Sequence, residues 1–265
     1  MTNWTYTSLS DSSSFECLNG LWKGKKPPFT KAAVIRNTNF RNDGLLDLSD
    51  VAVLDVEEKM LAKRTLQRGD IIIERSGGGP KQPVGRVCYF DASGVLPFSF
   101  SNFTTTLRVK NRNRFLPLFV HYYLLYLYQS GYTAPLQRAT TGIRNLDFEA
   151  YLNAKLPEIP LEEQRTIVTV LHKTQRAINI EERLRVVADD LKKSGMHKLF
   201  THGLRDEAQK VTDLGPVPES WEVVALGDVC SLSTGTTPAT KRPDYYQGSI
   251  PFIKTSEIVN NRLTR

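Results

Sequence analysis

Three polar clusters in the first 150 residues hold the side chains with the greatest chemical reach. The first is Arg36-Asn37-Thr38-Asn39-Phe40-Arg41-Asn42. The second joins Arg75-Ser76-Gly77 to Lys81 and Arg86. The third runs from Arg138 through Thr141 and Gly142 to Arg144 and Asn145. Arginine can grip a guanine edge with two parallel N–H bonds, and asparagine can do the same to adenine. Gly77, Gly78 and Gly142 leave room for a backbone to approach a phosphate. Each cluster alone reads better as an ordinary solvated loop. Three of them at strand ends in one basic domain favour a nucleic-acid contact surface.

Catalytic chemistry finds less support. Arg75 to Lys81 is glycine-rich but lacks the G-x-x-x-x-G-K-[ST] spacing that cradles a triphosphate. Lys26-Pro27-Pro28-Phe29 puts lysine where transfer of a methyl group to a base needs an amide or carboxylate. Asp70 and Glu74 could be imagined as a nuclease carboxylate pair, yet Arg75 follows and no lysine stands at the usual offset. Adjacent strand-end charges are the simpler reading. His121, His172, His197 and His202 lack metal-ligand spacing. The residues therefore predict no cofactor and no metal.

The elements that must position these clusters divide by charge. Residues 1–160 carry 20 Lys/Arg against 14 Asp/Glu, while residues 206–265 carry 6 against 8. A basic first segment suits a polyanionic partner, because each neutralised phosphate releases counterions; a solvated basic face fits the same numbers. The three cysteines (Cys17, Cys88, Cys230) lie far apart, which argues against a zinc ribbon or a disulfide scaffold. The polar N-terminus shows no signal peptide, and the apolar run Leu116–Tyr128 is short and interrupted by His121. Composition predicts a soluble, cytoplasmic chain with no membrane contact.

Residues 1–158 read as a mixed α and β domain, so the predicted class is α+β. Ala33–Ile35, Asp70–Ile73, Val84–Phe90 and Thr104–Val109 are β-type runs separated by Gly, Pro, Ser and Asn clusters. Phe115–Gln129 reads as a buried helix closed by Gly131. Residues 159–205 change character, with no proline after Pro160. Apolar residues at three-to-four spacing predict a helix from Glu162 to Lys193, about 48 Å long at 1.5 Å per residue. Its stripe, Ile167, Val170, Leu171, Leu184 and Leu191, fits either a coiled coil or packing on its own domain. Residues 206–220 read as a polar linker. Beyond it, Cys230–Gly235 followed by Phe252–Ser256 weakly repeats Cys17–Gly20 followed by Val34–Thr38, at an offset of 213 to 218 residues.

Ile159-Pro160-Leu161-Glu162-Glu163-Gln164-Arg165-Thr166-Ile167-Val168 resembles the opening of the conserved helix in specificity subunits of type I restriction–modification systems. Gly69 to Gly77, Gly85-Arg86 and Thr141 to Leu146 are similar to that family's target-recognition domain. Leu214 to Val223, Leu226-Gly227-Asp228-Val229 and Ser233-Thr234-Gly235-Thr236-Thr237-Pro238 resemble the opening of its second recognition domain. The resemblance implies a target-recognition domain over 1–158, a coiled-coil-type spacer helix over 159–205, a linker over 206–220 and the beginning of a second, incomplete recognition domain over 221–265.

It also implies a non-catalytic reader of double-stranded DNA, directing a methyltransferase/endonuclease complex to a split site. The partners implied are methyltransferase (modification) subunits and the restriction (nuclease/translocase) subunit; the apolar stripe on a single long helix further predicts pairing with a second copy of this chain. The expected DNA-contacting residues are Arg36, Asn37, Asn39, Arg41, Arg75, Ser76, Lys81, Arg86, Arg138, Thr141 and Arg144. Two rivals are weighed against this: a stand-alone DNA methyltransferase or nuclease, and a coiled-coil scaffold with no DNA role.

Overall fold

The computed structural model of the chain describes residues 5–21, 24, 26–79, 82–140, 143–239, 241–249, 252–259 and 262–263. Lys81, Thr141 and Gly142 lie outside the described residues. Two compact units form, residues 1–186 and residues 187–265.

In the first unit β1 (Thr5–Ser8), β2 (Phe15–Asn19), β3 (Phe29–Ile35) and β4 (Ala52–Glu57) precede helix α1 (Glu58–Arg64). Then come β5 (Ile71–Glu74), β6 (Ser76–Gly78), β7 (Val87–Tyr89), β8 (Phe98–Phe100) and β9 (Thr104–Val109). Helix α2 (Pro117–Gln129), β10 (Gln137–Thr140), β11 (Ile143–Leu146), α3 (Phe148–Leu152), β12 (Lys155–Glu158) and α4 (Leu161–His202) follow.

The central sheet has the order β2-β9-β5-β7 and is antiparallel throughout. Strand β5 explains its position. Successive side chains on a strand point to opposite faces, so Ile71 and Ile73 face one core while Ile72 faces another. The larger core sets the sheet against α2, whose Phe119, Val120, Leu124 and Leu125 meet Phe15, Leu107 and Val109. The second core packs Ile72 and Cys88 against Ile35 and Phe100 of the β4-β3-β8 layer and against Phe40 of the loop that follows β3. An uninterrupted apolar run suits a strand covered on both sides.

Helix α2 begins two residues later than its apolar pattern predicts. Proline lacks an N–H and fits the first helical position, while the residue before it is pushed to extended backbone. Leu116 accordingly has ψ 128°, and Pro117 opens the helix. Gly131, at φ +84°, follows its end. The long helix is longer than its stripe predicts, 42 residues from Leu161 to His202. Glu162 and Glu163 suit its first turn, and Gly203 at φ +70° closes it with a bond from its N–H to Leu199 O.

In the second unit, a hairpin of β13 (Gln209–Thr212) and β14 (Gly215–Pro218) spans the stretch that reads as a linker. Gly215 at φ +100° turns it, and the Thr212 hydroxyl donates to Gly215 O. Short elements α5 (Leu226–Val229), β15 (Ile258–Val259) and β16 (Arg262–Leu263) follow. No helix among the described residues is long and apolar enough to cross a membrane.

Candidate nucleic-acid interface

Ser76 joins the three polar clusters. Its carbonyl accepts from the Asn37 side-chain amide at 3.0 Å, and its hydroxyl donates to Asn145 Oδ1. Strand pairing enforces the second contact, because β6 lies beside β11 with Asn145 opposite Ser76 and Arg144 opposite Gly78. Gly77 makes the first contact possible. It sits at φ +115°, and a Cβ there would lie 2.2 Å from Asn37 Nδ2.

Within this junction the candidate residues fall into separate groups. Arg36 and Arg144 carry guanidinium groups with no hydrogen bond or ion pair among the described residues. Arg36 is half-buried, and its Nε is shielded from solvent without an acceptor. Arg75 donates to Asn19 Oδ1 at 2.9 Å and lies 4.8 Å from the centre of the Phe148 ring. Arg138 is exposed and paired with Asp147. The Asp147 carboxyl sits below the usual carboxylate range, held there first by the Ala150 N–H and then by Arg138.

Three candidates hold the loop itself. Asn39 is buried; its oxygen accepts from Arg36 N, and its amide donates to Asp47 O and Asp50 O. That leaves Asn39 shaping the loop from within. Arg41 forks onto Asp43 and also reaches Glu182 of α4 at 2.9 Å. Arg86 turns inward, its Nε and Nη2 meeting both oxygens of Glu74 at 3.0 and 2.7 Å.

Asp70 and Glu74 are each about 1% exposed and belong to separate ion pairs, Asp70 with Arg108 and Glu74 with Arg86. Neither is one half of a carboxylate pair. No group of three or more His, Cys, Asp or Glu that could hold a metal ion occurs among the described residues.

The sequence assigns no site role to Asn19, Phe148 or Gln164, and it offers Glu74 only as an imagined partner of Asp70 or a strand-end charge. Glu74 carried a usable signal, since a carboxylate that closes an Ile-Ile-Ile run must find a buried cation. In the sequence Gln164 stands out only through the motif that surrounds it. It is fully buried at the start of α4, accepting from Leu116 N at 2.8 Å and donating to Arg114 O and Ile159 O at 2.8 and 2.9 Å.

The helix stripe divides as well. Ile167 packs partly against the main core of the first unit, so it already has a partner within the chain. Val170, Leu171, Leu184 and Leu191 are exposed, Leu191 at 71%. Between α2 and the first half of α4 runs an open groove of about 640 Å³, walled by Tyr122, Tyr123, Tyr126, Ile167, Leu171 and Ile178.

A mixed α and β domain whose polar clusters meet at one junction, followed by a 42-residue helix, has the architecture of a target-recognition module with a helical stalk. The model of the type I restriction modification DNA specificity domain matches residues 15–187 and 218–265, and the chain belongs to that family. It is 25% identical over 217 residues to the MjaX specificity subunit of Methanocaldococcus jannaschii, covering 80% of this chain and 50% of that protein. Identity to the MjaVIII specificity subunit of the same organism is 32% over 133 residues, covering 50% of this chain and 31% of that one. The crystal structure of a type I restriction–modification S subunit from M. genitalium shares the fold, with a TM-score of 0.51 at 18% identity. That match covers 77% of this chain and 47% of the other. The chain thus spans about half the length of the longest of these matches.

Proposed function

We propose that residues 1–158 read the sequence of duplex DNA and present the site to methyltransferase subunits, with the restriction subunit as a further partner. In this reading residues 159–205 act as the spacer and residues 221–265 correspond to the opening of a second recognition domain. The observation that carries it is the junction at Ser76, where three clusters far apart in sequence meet and the Arg36 and Arg144 guanidinium groups have no hydrogen bond or ion pair among the described residues. Membership of the specificity family supports the same reading. Asn37, Arg75 and Ser76 shape this surface, and Arg138 suits a phosphate.

Selection of duplexes from a random pool, with and without methyltransferase subunit, tests it. Arg36→Ala or Arg144→Ala should relax one position of the selected site and cost about 1–3 kcal/mol on the best duplex. Arg138→Ala should weaken all duplexes alike and lower the salt slope by about 1. Unchanged selection and affinity in all three variants would place the recognition surface elsewhere. Methyl transfer from S-adenosylmethionine by the purified chain alone would favour the enzyme reading instead.

The exposed stripe supports a second proposal, that α4 pairs with the same helix of another copy. Each large apolar side chain left in water forfeits about 1.5–3 kcal/mol of burial, and the aromatic groove beside α4 offers a further apolar wall. A two-fold pairing buries the same patch on both copies, and two identical readers would then address the halves of a split, palindromic site. Light scattering at micromolar concentration should show a dimer that Leu184→Glu, Leu191→Glu converts to a monomer. A monomeric wild type that binds a single half-site would exclude the pairing.

A further inference from the structure

We infer that Arg86 and Glu74 form a clamp that holds the 36–47 loop in its reading position, so that Arg86 governs sequence discrimination without touching DNA. This rests on the recognition reading above. The guanidinium donates both to Glu74 and to the loop. Two bonds go to the Glu74 carboxylate, from Nε at 3.0 Å and Nη2 at 2.7 Å. Two more cross to the loop, from Nη1 to Phe40 O at 2.8 Å and from Nη2 to Asn37 O at 3.0 Å. The same group lies 5.6 Å from the centre of the Phe40 ring. Arg86 thus bonds to carbonyls near both ends of the turn at residues 37–40, the turn that follows Arg36.

Both ends of the clamp are anchored in the core sheet. Glu74 closes β5 and its N–H donates to Arg86 O at 2.9 Å, so the two residues face each other across neighbouring chain segments. The Glu74 side chain is about 1% exposed and the Arg86 side chain 12%. A buried ion pair is weak evidence of stability, because desolvation offsets most of its attraction. What it supplies here is geometry. A planar guanidinium can grip a carboxylate and two carbonyls at fixed angles, which the single ammonium of lysine cannot.

The loop is also tied within itself and, beyond the turn, to its surroundings: Tyr89 N–H donates to Gly44 O, Cys88 Sγ to Leu45 O, and Arg41 reaches Glu182. Arg41 N–H donates to Leu45 O, Asp47 N–H to Asn39 O, and the Asn39 amide to Asp47 O and Asp50 O. The Arg86 bonds and the Asn37–Ser76 bond fasten its near end to the sheet.

The test uses the full chain with Arg86→Met, Arg86→Lys and Glu74→Gln. Two readouts are taken: hydrogen exchange of the 36–47 amides, measured without DNA, and binding to two duplexes. The duplexes are the best one selected by wild type and a shuffled version of it. Arg86→Met and Arg86→Lys should each speed exchange in the loop at least tenfold while β9 stays protected. Discrimination between the duplexes should fall at least tenfold, with low-salt binding to the shuffled duplex and its salt slope unchanged.

Should Arg86→Met fail to fold, the lysine and glutamine variants carry the test. Loop exchange that stays at the wild-type rate overturns the clamp. Discrimination kept by Arg86→Lys but lost by Arg86→Met, with a salt slope lowered by about 1, overturns it in favour of a direct phosphate contact. If wild type discriminates between no duplexes at all, the recognition reading falls, and the exchange rates then decide the clamp by themselves.

Discussion

Glutamate in place of Gln164 should loosen the long helix from its domain and lower stability at neutral pH by several kcal/mol. The Gln164 side chain is fully buried, and its amide serves three backbone groups at once: Leu116 N, Arg114 O and Ile159 O. Those groups belong to the segment entering α2 and the segment entering α4. The amide therefore joins two helix starts that are distant in sequence. Alanine leaves each of these groups without its side-chain partner, at about 1–3 kcal/mol for any that stays buried and unpaired.

Glutamate is worse than alanine when ionised, because its second oxygen then faces two carbonyl oxygens in a dry site. Burial and those carbonyls raise the folded-state pKa of such a carboxyl above its unfolded value of about 4.3. The folded state then holds a proton that the unfolded state has lost. The penalty is full above the folded pKa and shrinks as pH falls through it. Urea unfolding at pH 7.5 and pH 5 should show Gln164→Glu gaining stability relative to wild type on acidification. Equal stability of the two proteins at both pH values would mean that the amide contributes nothing to docking α4.

Acidification should also destabilise the wild-type protein through His121, and a phenylalanine there should remove much of that sensitivity. His121 is 2% exposed in the α2 core, between the rings of Tyr89 and Tyr122. Its Nδ1 has no hydrogen-bond partner among the described residues. Burial holds its pKa down at about 3, against a weaker upward pull from Asp43. In the unfolded chain the imidazole returns to about 6.5.

Between those values the unfolded state binds a proton that the folded state refuses, so stability falls as pH drops below about 6.5. The slope approaches about 1.4 kcal/mol per pH unit, or about 2 kcal/mol by pH 5. Carboxylates held low in the folded state add to acid sensitivity at lower pH. Asp11 is one, kept near 2 by hydrogen bonds from Ser13 and Ser14. Their contribution is common to both proteins and cancels in the difference. Stability measured from pH 7.5 to 4.5 should therefore diverge between wild type and His121→Phe, and parallel curves would show that His121 is protonated in the folded state.

Local chemistry determined a good part of this molecule. Strand β9 occupies Thr104–Val109, as its β-branched run predicts, and β5 follows from three consecutive isoleucines. The long helix follows from a three-to-four apolar spacing, interrupted at Glu181 and opened by two glutamates, although that spacing predicts an end at Lys193 and the helix runs on to His202. The family was legible too, in the motif around Gln164 and the glycines near Arg75. Each of these signals lies within a few residues of what it specifies.

Tertiary structure decided which charges are free to meet a ligand. In the sequence, Arg36, Arg41, Arg86 and Arg144 are equivalent basic residues in polar stretches. In the fold, Arg86 meets a carboxylate twelve positions away and two carbonyls more than forty away, and Arg41 meets Glu182 across 141 positions. Ser76 gathers Asn37 and Asn145 only because β6 and β11 pair edge to edge. An arginine's role depends on whether an acceptor waits at the end of its side chain. That acceptor is placed by strand order and loop path, which no short stretch of sequence records.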